Sequence, residues 1–192
     1  MERFLDALAI EEHSLVVTDW GVVALIAAQR RPERLRRLVL INAVPLLPGY
    51  RWHWVARLWR RRVVGELVNA TTTRTGLRLL SALATPRRRP LPASFIDLVW
   101  RGRPTGSWPE MLALYRSADA ERLAAAGAAL DRVEAPALVV SGLQDPYIPA
   151  GFGRAYAERL PNAELVEFEG AGHWPWLDRP EVIDRVVRYV AG

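Results

Sequence analysis

The amino-acid sequence predicts an α/β fold, with a parallel sheet covered by helices and interrupted by a helical insert. Four short apolar runs rich in β-branched residues predict buried strands at residues 14–17, 35–42, 137–141 and 164–168. Helical patterns lie between these runs, and strands alternating with helices indicate a parallel sheet. Residues 44–134 contain no strand-like run. We therefore expect residues 1–43 and 135–192 to form one domain, and residues 44–134 to form a separate helical domain.

Helices are predicted in the sheet domain on both sides of the insert. Apolar residues at Phe4, Leu5, Leu8 and Ile10 have the spacing expected at the end of an amphipathic helix. Three further helices are predicted at residues 22–31, 153–160 and 180–190. These helices would cover the sheet.

The insert differs in composition from the rest of the chain. It holds most of the arginine clusters, and its helical stretches are broken by prolines at positions 86, 90, 92, 104 and 109. It also holds five of the eight tryptophans: Trp52, Trp54, Trp59, Trp100 and Trp108. These side chains could line an apolar substrate pocket or form the insert's own core, and the sequence leaves both open.

Composition excludes several classes of function. The chain has no cysteine, and none of its three histidines has a metal-site spacing, so we expect no metal and no cofactor. No apolar run approaches the length of a membrane span, and residues 1–6 are unlike a signal peptide, so we expect a cytoplasmic protein away from membranes. The net charge of +5 comes from arginines scattered without a nucleic-acid-binding motif, so we expect no nucleic-acid partner.

Asp19 lies at a sharp strand-turn-helix junction, in the segment Val17-Thr18-Asp19-Trp20-Gly21. A side chain at such a turn is held exposed above the sheet, beside a helix N-terminus that favours negative charge. The backbone N–H of Trp20 would then form half of an oxyanion hole. The alternative is that Asp19 simply caps the following helix, which is a common position for Asp.

Two more candidates follow the third and fourth predicted strands. Asp145 lies just after residues 137–141, and His173 lies in a glycine-containing loop after residues 164–168. Each has an ordinary alternative, as a turn residue before Pro146 and as an incidental loop histidine. Together with Asp19, however, they stand at the carboxyl ends of three strands in the order nucleophile, acid, base.

These motifs resemble the α/β-hydrolase superfamily. Residues 1–43 and 135–192 resemble the last four strands of its core with their flanking helices, and residues 44–134 lie where its helical cap is inserted. The turn Thr18-Asp19-Trp20-Gly21 is similar to that of epoxide hydrolases and haloalkane dehalogenases, the branch with an Asp nucleophile. The resemblance implies an enzyme in which Asp19 is the nucleophile, His173 the base and Asp145 the acid that orients the base.

The same resemblance implies an aspartyl-ester intermediate formed from a small apolar substrate. Trp20 would hold a leaving halide in a dehalogenase, but epoxide hydrolases often carry Trp there too. Leu112 to Arg116 resembles the motif of a cap tyrosine that protonates an opening epoxide, which points to Tyr115. Tyr50 is the nearest candidate for the other such tyrosine, but we predict that it lies on the surface of the insert. We favour epoxide hydrolysis, with dehalogenation as the alternative.

The N-terminal half of the family pattern has no counterpart in the sequence. Only 18 residues precede Asp19, and no His-Gly motif of an oxyanion loop is present. We therefore expect an N-terminally truncated core with residues 14–19 as an unpaired apolar edge, through which the chain could self-associate. Two alternatives stay open: a non-catalytic remnant, or a binding module in which Asp19 and His173 lie more than about 10 Å apart.

Overall fold

The computed structural model describes residues 1–102 and 109–192, and in them the four predicted strands form one parallel sheet. The strands pair in their order along the chain, β1-β2-β3-β4. They span His13–Asp19 (β1), Leu35–Ala43 (β2), Ala137–Gly142 (β3) and Ala163–Phe168 (β4). The predicted α/β class is confirmed, and all four carboxyl ends meet at one edge of the sheet.

The helices of the sheet domain occur where helical patterns were predicted, with differences at their ends. They span Glu2–Ala7 (α1), Leu25–Arg30 (α2), Gly151–Arg159 (α9), Pro175–Asp178 (α10) and Glu181–Ala191 (α11). The helix predicted at residues 22–31 instead starts as a 3-10 turn, Trp20–Ala24, before α2. The short helix α10 was not predicted, since four residues are too few to show helical periodicity.

The insert between β2 and β3 is helical in its described residues, as expected. Its helices span Trp54–Arg60 (α3), Val64–Thr71 (α4), Arg74–Ser81 (α5), Ala93–Arg101 (α6), Pro109–Ser117 (α7) and Ala120–Ala126 (α8). Pro104 and Trp108 lie outside the described residues. In the part of the chain that is described, no helix has both the length and the apolar character needed to cross a membrane.

Both faces of the two central strands, β2 and β3, are buried along most of their length. Along β2, Leu38 and Leu40 pack into a large cluster on one face, whereas Val39 and Ile41 pack on the other. The first cluster includes side chains of α2 and α9, and the second is covered by α11 through Val182. Because successive strand residues point to opposite faces, a strand buried on both sides has a continuous apolar sequence, which is what the sequence shows.

The two ends of the insert pack on the sheet domain. Val44 and Leu46 at its start, and Leu123 and Leu130 near its end, belong to the same buried cluster as Leu38. The division into domains at residues 44 and 134 remains a prediction. The packing shows that the insert's ends are held firmly against the sheet, so that its middle lies over the sheet's carboxyl edge.

Strand β1 lies at one edge of the sheet, and among the described residues it pairs only with β2. Val16 in this strand is 48% exposed. Arg34, just before β2, donates hydrogen bonds to Asp6 and to the carbonyl of Glu11, which holds α1 against the sheet. Self-association through residues 14–19 remains a prediction.

Candidate active site

Asp19 occupies a strained turn at the end of β1. Its backbone has φ 46° and ψ −125°, a conformation that non-glycine residues rarely adopt and that costs on the order of 1–3 kcal/mol. Its side chain makes no capping hydrogen bond to the 3-10 turn that follows, so the helix-cap alternative is wrong.

Asp145 is held by three hydrogen bonds in the loop after β3. Its Oδ1 accepts from the backbone N–H of Tyr147 at 2.8 Å and of Ile148 at 3.1 Å. Its Oδ2 lies 2.8 Å from Nδ1 of His173. The carboxylate is completely buried, and a buried charge requires such partners. Asp145 therefore does more than form the turn before Pro146.

His173 stands between the two carboxylates. Its Nε2 lies 3.9 Å from Oδ2 of Asp19, on the side opposite Asp145. Burial lowers the pKa of His173, but the hydrogen bond to Asp145 and the negative charges of Asp145 and Asp19 outweigh burial and raise the pKa to about 9. The structure thus brings the three predicted residues together, and the binding-module alternative, which required a wide separation of Asp19 and His173, is contradicted.

Asn42 ties together the loops that carry Asp145 and His173, and it was not predicted from the sequence. At the end of β2 it has φ 40°, and its amide donates to the carbonyls of Gly172 (2.8 Å) and His173 (3.1 Å). Its Oδ1 accepts from the N–H of Gly142 at 2.9 Å. A polar residue ending an apolar strand was the available signal.

The insert closes an apolar cavity of about 360 Å³ over the three residues. Asp19, His173, Trp20 and Tyr115 all lie in its wall, together with aliphatic side chains of α5, α6 and α7. A mostly apolar cavity with a few polar groups at one end is typical of small-molecule sites.

Two tryptophans of the insert have the first of the two predicted roles, lining a pocket. Trp52 and Trp59 line the cavity. Trp54 is 49% exposed, and Trp100 is not among the described lining residues. Trp108 lies outside the described residues.

Trp20 and Tyr115 form an aromatic corner beside Asp19. Trp20 stacks on Trp52 with centroids 5.2 Å apart and meets Tyr115 edge-on at 5.1 Å. Its indole Nε1 is buried and has no hydrogen-bond partner in the described residues. Burial, followed by the charge of Asp19, raises the pKa of Tyr115, and the nearby Trp20 N–H opposes this without reaching hydrogen-bond geometry. Tyr115 therefore stays a neutral phenol.

Tyr50 is buried, so the prediction that it lies on the insert surface is wrong. It is 2% exposed, lines the cavity and packs edge-on against Trp52 at 5.0 Å. Its hydroxyl donates to the carbonyl of Tyr147 at 3.3 Å. Burial and the nearby Asp19 charge raise its pKa. The two candidate tyrosines thus line the same cavity as Asp19.

Two further cavity residues, His53 and Tyr147, were not predicted from the sequence. Tyr147 stands edge-on to His173 at 5.0 Å, and burial and the Asp145 charge raise its pKa to about 12. Its position two residues after Asp145 was a usable signal. His53 lies 4.5 Å from Tyr147, and no local pattern marked it.

The chain is similar to hydrolases of several activities. A 34% identical pimeloyl-[acyl-carrier protein] methyl ester esterase of Chromobacterium violaceum matches 86% of this chain, which spans 65% of that protein. A 33% identical esterase of the same name from Aromatoleum aromaticum matches 98% of the chain and is covered over 80% of its length. The structure superposes on a 26% identical haloalkane dehalogenase from Bradyrhizobium elkani with a TM-score of 0.77, over 100% of this chain and 71% of that one.

A family model covers nearly the whole chain. The family described as alpha/beta hydrolase fold matches residues 1–180, which include Asp19, Asp145 and His173. Together with the parallel sheet, this match shows that the chain belongs to the α/β hydrolase fold family.

Proposed function

We propose that this protein is a hydrolase that acts through an aspartyl ester on a small apolar epoxide. The observation that carries the proposal is the Asp19 carboxylate, held on a strained turn 3.9 Å from Nε2 of His173. A carboxylate nucleophile suits attack on a saturated carbon. The proposal is also supported by the hydrolytic activities in the names of the relatives.

In the first step, Asp19 Oδ attacks a carbon of the epoxide ring. The carbon–oxygen bond breaks, and its electron pair goes to the oxygen, which takes the proton of the Tyr115 hydroxyl. Tyr50 lines the same cavity, but its hydroxyl proton is donated to the carbonyl of Tyr147, so the proton donor in this step is Tyr115. The product of this step is an ester between Asp19 and the opened substrate.

In the second step, His173 Nε2 takes a proton from water, and the hydroxide attacks the ester carbonyl carbon of Asp19. The backbone N–H of Trp20 would donate to the resulting oxyanion. The carbon–oxygen bond to the product breaks, and the leaving alkoxide takes the proton from His173. The other proton of the water passes from the regenerated Asp19 carboxyl group to the Tyr115 phenolate, so that epoxide and water yield a diol. Esterification removes the Asp19 charge, one cause of the raised His173 pKa, so this pKa falls and more of the imidazole is in the neutral form that acts as the base.

An oxygen-isotope experiment tests the ester directly. Multiple turnovers of styrene oxide in ¹⁸O-labelled water should place the label in the Asp19 carboxylate, because water attacks the carbonyl carbon. Mass spectrometry of the peptide containing Asp19 should show a gain of about 2 Da per exchanged oxygen. The peptide containing Asp145 is the internal control and should stay unlabelled. Label confined to the diol would rule out the aspartyl ester.

Halide displacement is a second candidate, supported by one specific observation. The Trp20 indole N–H is buried beside Asp19 without an acceptor in the described residues, as a halide-binding donor would be before substrate arrives. The same Asp19 attack would then expel halide with its bonding electrons. Halide release from 1-chlorobutane tests it, and release at the uncatalysed rate would remove this candidate.

A further inference from the structure

His53 has one ring nitrogen committed to the protein backbone. It is the N-cap of α3, and its Nδ1 accepts a hydrogen bond from the N–H of Ala56 at 3.3 Å. An imidazole nitrogen that accepts a hydrogen bond carries no proton. The Nδ1 atom is therefore unprotonated, and it faces the first turn of the helix.

The remaining nitrogen of His53 must be a donor. Burial and the positive charge of His173 lower the pKa of His53 to about 4, so the ring is neutral near pH 7. A neutral imidazole with a bare Nδ1 has its proton on Nε2. Since Nδ1 faces α3, the opposite edge of the ring is free to face the cavity whose wall His53 forms.

His53 lies close to the reacting groups rather than at a remote wall. The Tyr147 ring contacts the rings of both His53 and His173, with centroids 4.5 Å and 5.0 Å apart, respectively. Among the described residues, Nε2 of His53 has no protein acceptor. The ring therefore offers one fixed N–H in the same cavity wall as Asp19, separated from His173 by the ring of Tyr147.

The charge of the cavity limits what this N–H can receive. Asp19 lies in the cavity wall and Asp145 directly behind it, whereas no arginine is among the described lining residues. A carboxylate or phosphate would lie near two negative charges with no fixed cation beyond His173. A neutral oxygen acceptor meets no such repulsion.

We propose that His53 determines specificity, selecting neutral, otherwise apolar substrates that carry a hydrogen-bond acceptor close to the reacting carbon. The acceptor binds the Nε2–H of His53, while the apolar part fills the aromatic cavity. The identity of the reacting carbon rests on the function proposed above, but the donor and its preference for a neutral acceptor do not.

Two substitutions separate the roles of the two ring nitrogens. In His53→Asn, the amide oxygen stands near the position of Nδ1, so the helix cap is kept, and the shorter side chain leaves no donor at the position of Nε2. In His53→Gln, the amide nitrogen stands near the position of Nε2, so a donor is kept and the cap is weakened. Thermal unfolding of both variants checks that each one folds.

Two matched epoxides measure how much the N–H donor of His53 contributes to turnover. Butyl glycidyl ether and 1,2-epoxyoctane have the same length, but only the ether carries an oxygen acceptor beside the epoxide. We expect His53→Asn to lower kcat/KM about fivefold for the ether alone, and His53→Gln to retain most of the preference. Equal losses on both substrates would overturn the proposal and leave His53 a structural residue.

Unreactive ligands separate this proposal from the proposed function. Hexan-2-one and 2-methylhex-1-ene have the same shape and differ in one acceptor oxygen, and their binding can be followed by fluorescence of the cavity tryptophans. A ketone preference that disappears in His53→Asn supports the donor even if no epoxide is turned over, an outcome that would count against the epoxide function alone. Unchanged ratios of ketone to alkene affinity in His53→Asn would overturn the donor.

Discussion

Oδ2 of the fully buried Asp145 lies 2.8 Å from Nδ1 of His173. Backbone N–H groups hold the other carboxylate oxygen, so the orientation of Asp145 is fixed independently of His173. The imidazole is thereby held in one rotamer and one tautomer, with Nε2 directed towards Asp19.

Asp145→Asn should lower the pKa of His173 from about 9, because the substitution removes one of the two negative charges that raise it. NMR titration of the His173 ring measures this pKa. Since the neutral ring is the base, the activity limb that rises with pH should move to lower pH, while kcat falls about 10³-fold through loss of orientation. An unchanged His173 titration would contradict the assigned role of Asp145.

His173→Gln should stop the reaction after the first step. Without a base the ester on Asp19 persists, so intact-protein mass spectrometry after exposure to styrene oxide should show an increase by one substrate mass. Steady-state turnover should fall at least about 10³-fold. The double variant Asp19→Asn, His173→Gln is the control and should form no adduct. An adduct in that variant would place the nucleophile elsewhere.

Tyr115→Phe and Trp20→Phe should affect the two candidate reactions oppositely. Loss of the Tyr115 hydroxyl should slow epoxide opening about 10²-fold while leaving any halide release from 1-chlorobutane within about twofold. Loss of the Trp20 indole N–H should slow halide release and leave epoxide opening nearly unchanged, since the departure of halide depends on that donor. Equal effects of both variants on both substrates would indicate that these side chains only shape the cavity.

Asn42→Ala should cost about 3 kcal/mol of unfolding free energy, because three buried backbone groups lose their hydrogen-bond partner. Urea denaturation measures the loss. Asn162→Ala is the matched control: Asn162 is exposed and makes one backbone hydrogen bond, to the carbonyl of Glu134, so about 1 kcal/mol or less is expected. Equal losses at the two positions would refute the idea that Asn42 ties the loops together.

Gly142→Ala should both destabilise the protein and impair catalysis. A Cβ there would lie 2.4 Å from the carbonyl oxygen of Gly172, so the loop that carries His173 must shift. We expect a loss of about 3 kcal/mol and at least a tenfold fall in kcat. Gly151→Ala is the control, since a Cβ at Gly151 meets nothing within 4 Å, and it should be neutral or slightly stabilising. Normal kcat in Gly142→Ala would show that the loop tolerates the shift.

The sequence predicted the parts of the fold that depend on local pattern. The strands were visible because a strand buried on both faces has a continuous apolar run, and Asp19, Asp145 and His173 were visible because each follows such a run. Asn42, by contrast, acts through loops that are about a hundred residues away in sequence. The burial of Tyr50 and the tautomer of His53 likewise depend on how the insert packs against the sheet, which periodicity does not encode.

The insert enters after β2 and leaves before β3, two neighbouring strands of the sheet. As a result, the bond-making groups belong to loops of the sheet, whereas Tyr50, His53 and Tyr115 belong to the insert. Mutations of insert residues other than the proton donor Tyr115 can thus change which molecules are accepted without removing the nucleophile, the base or the acid that orients the base. In such an architecture, the substrate range can change in evolution while the nucleophile, the base and the orienting acid stay the same.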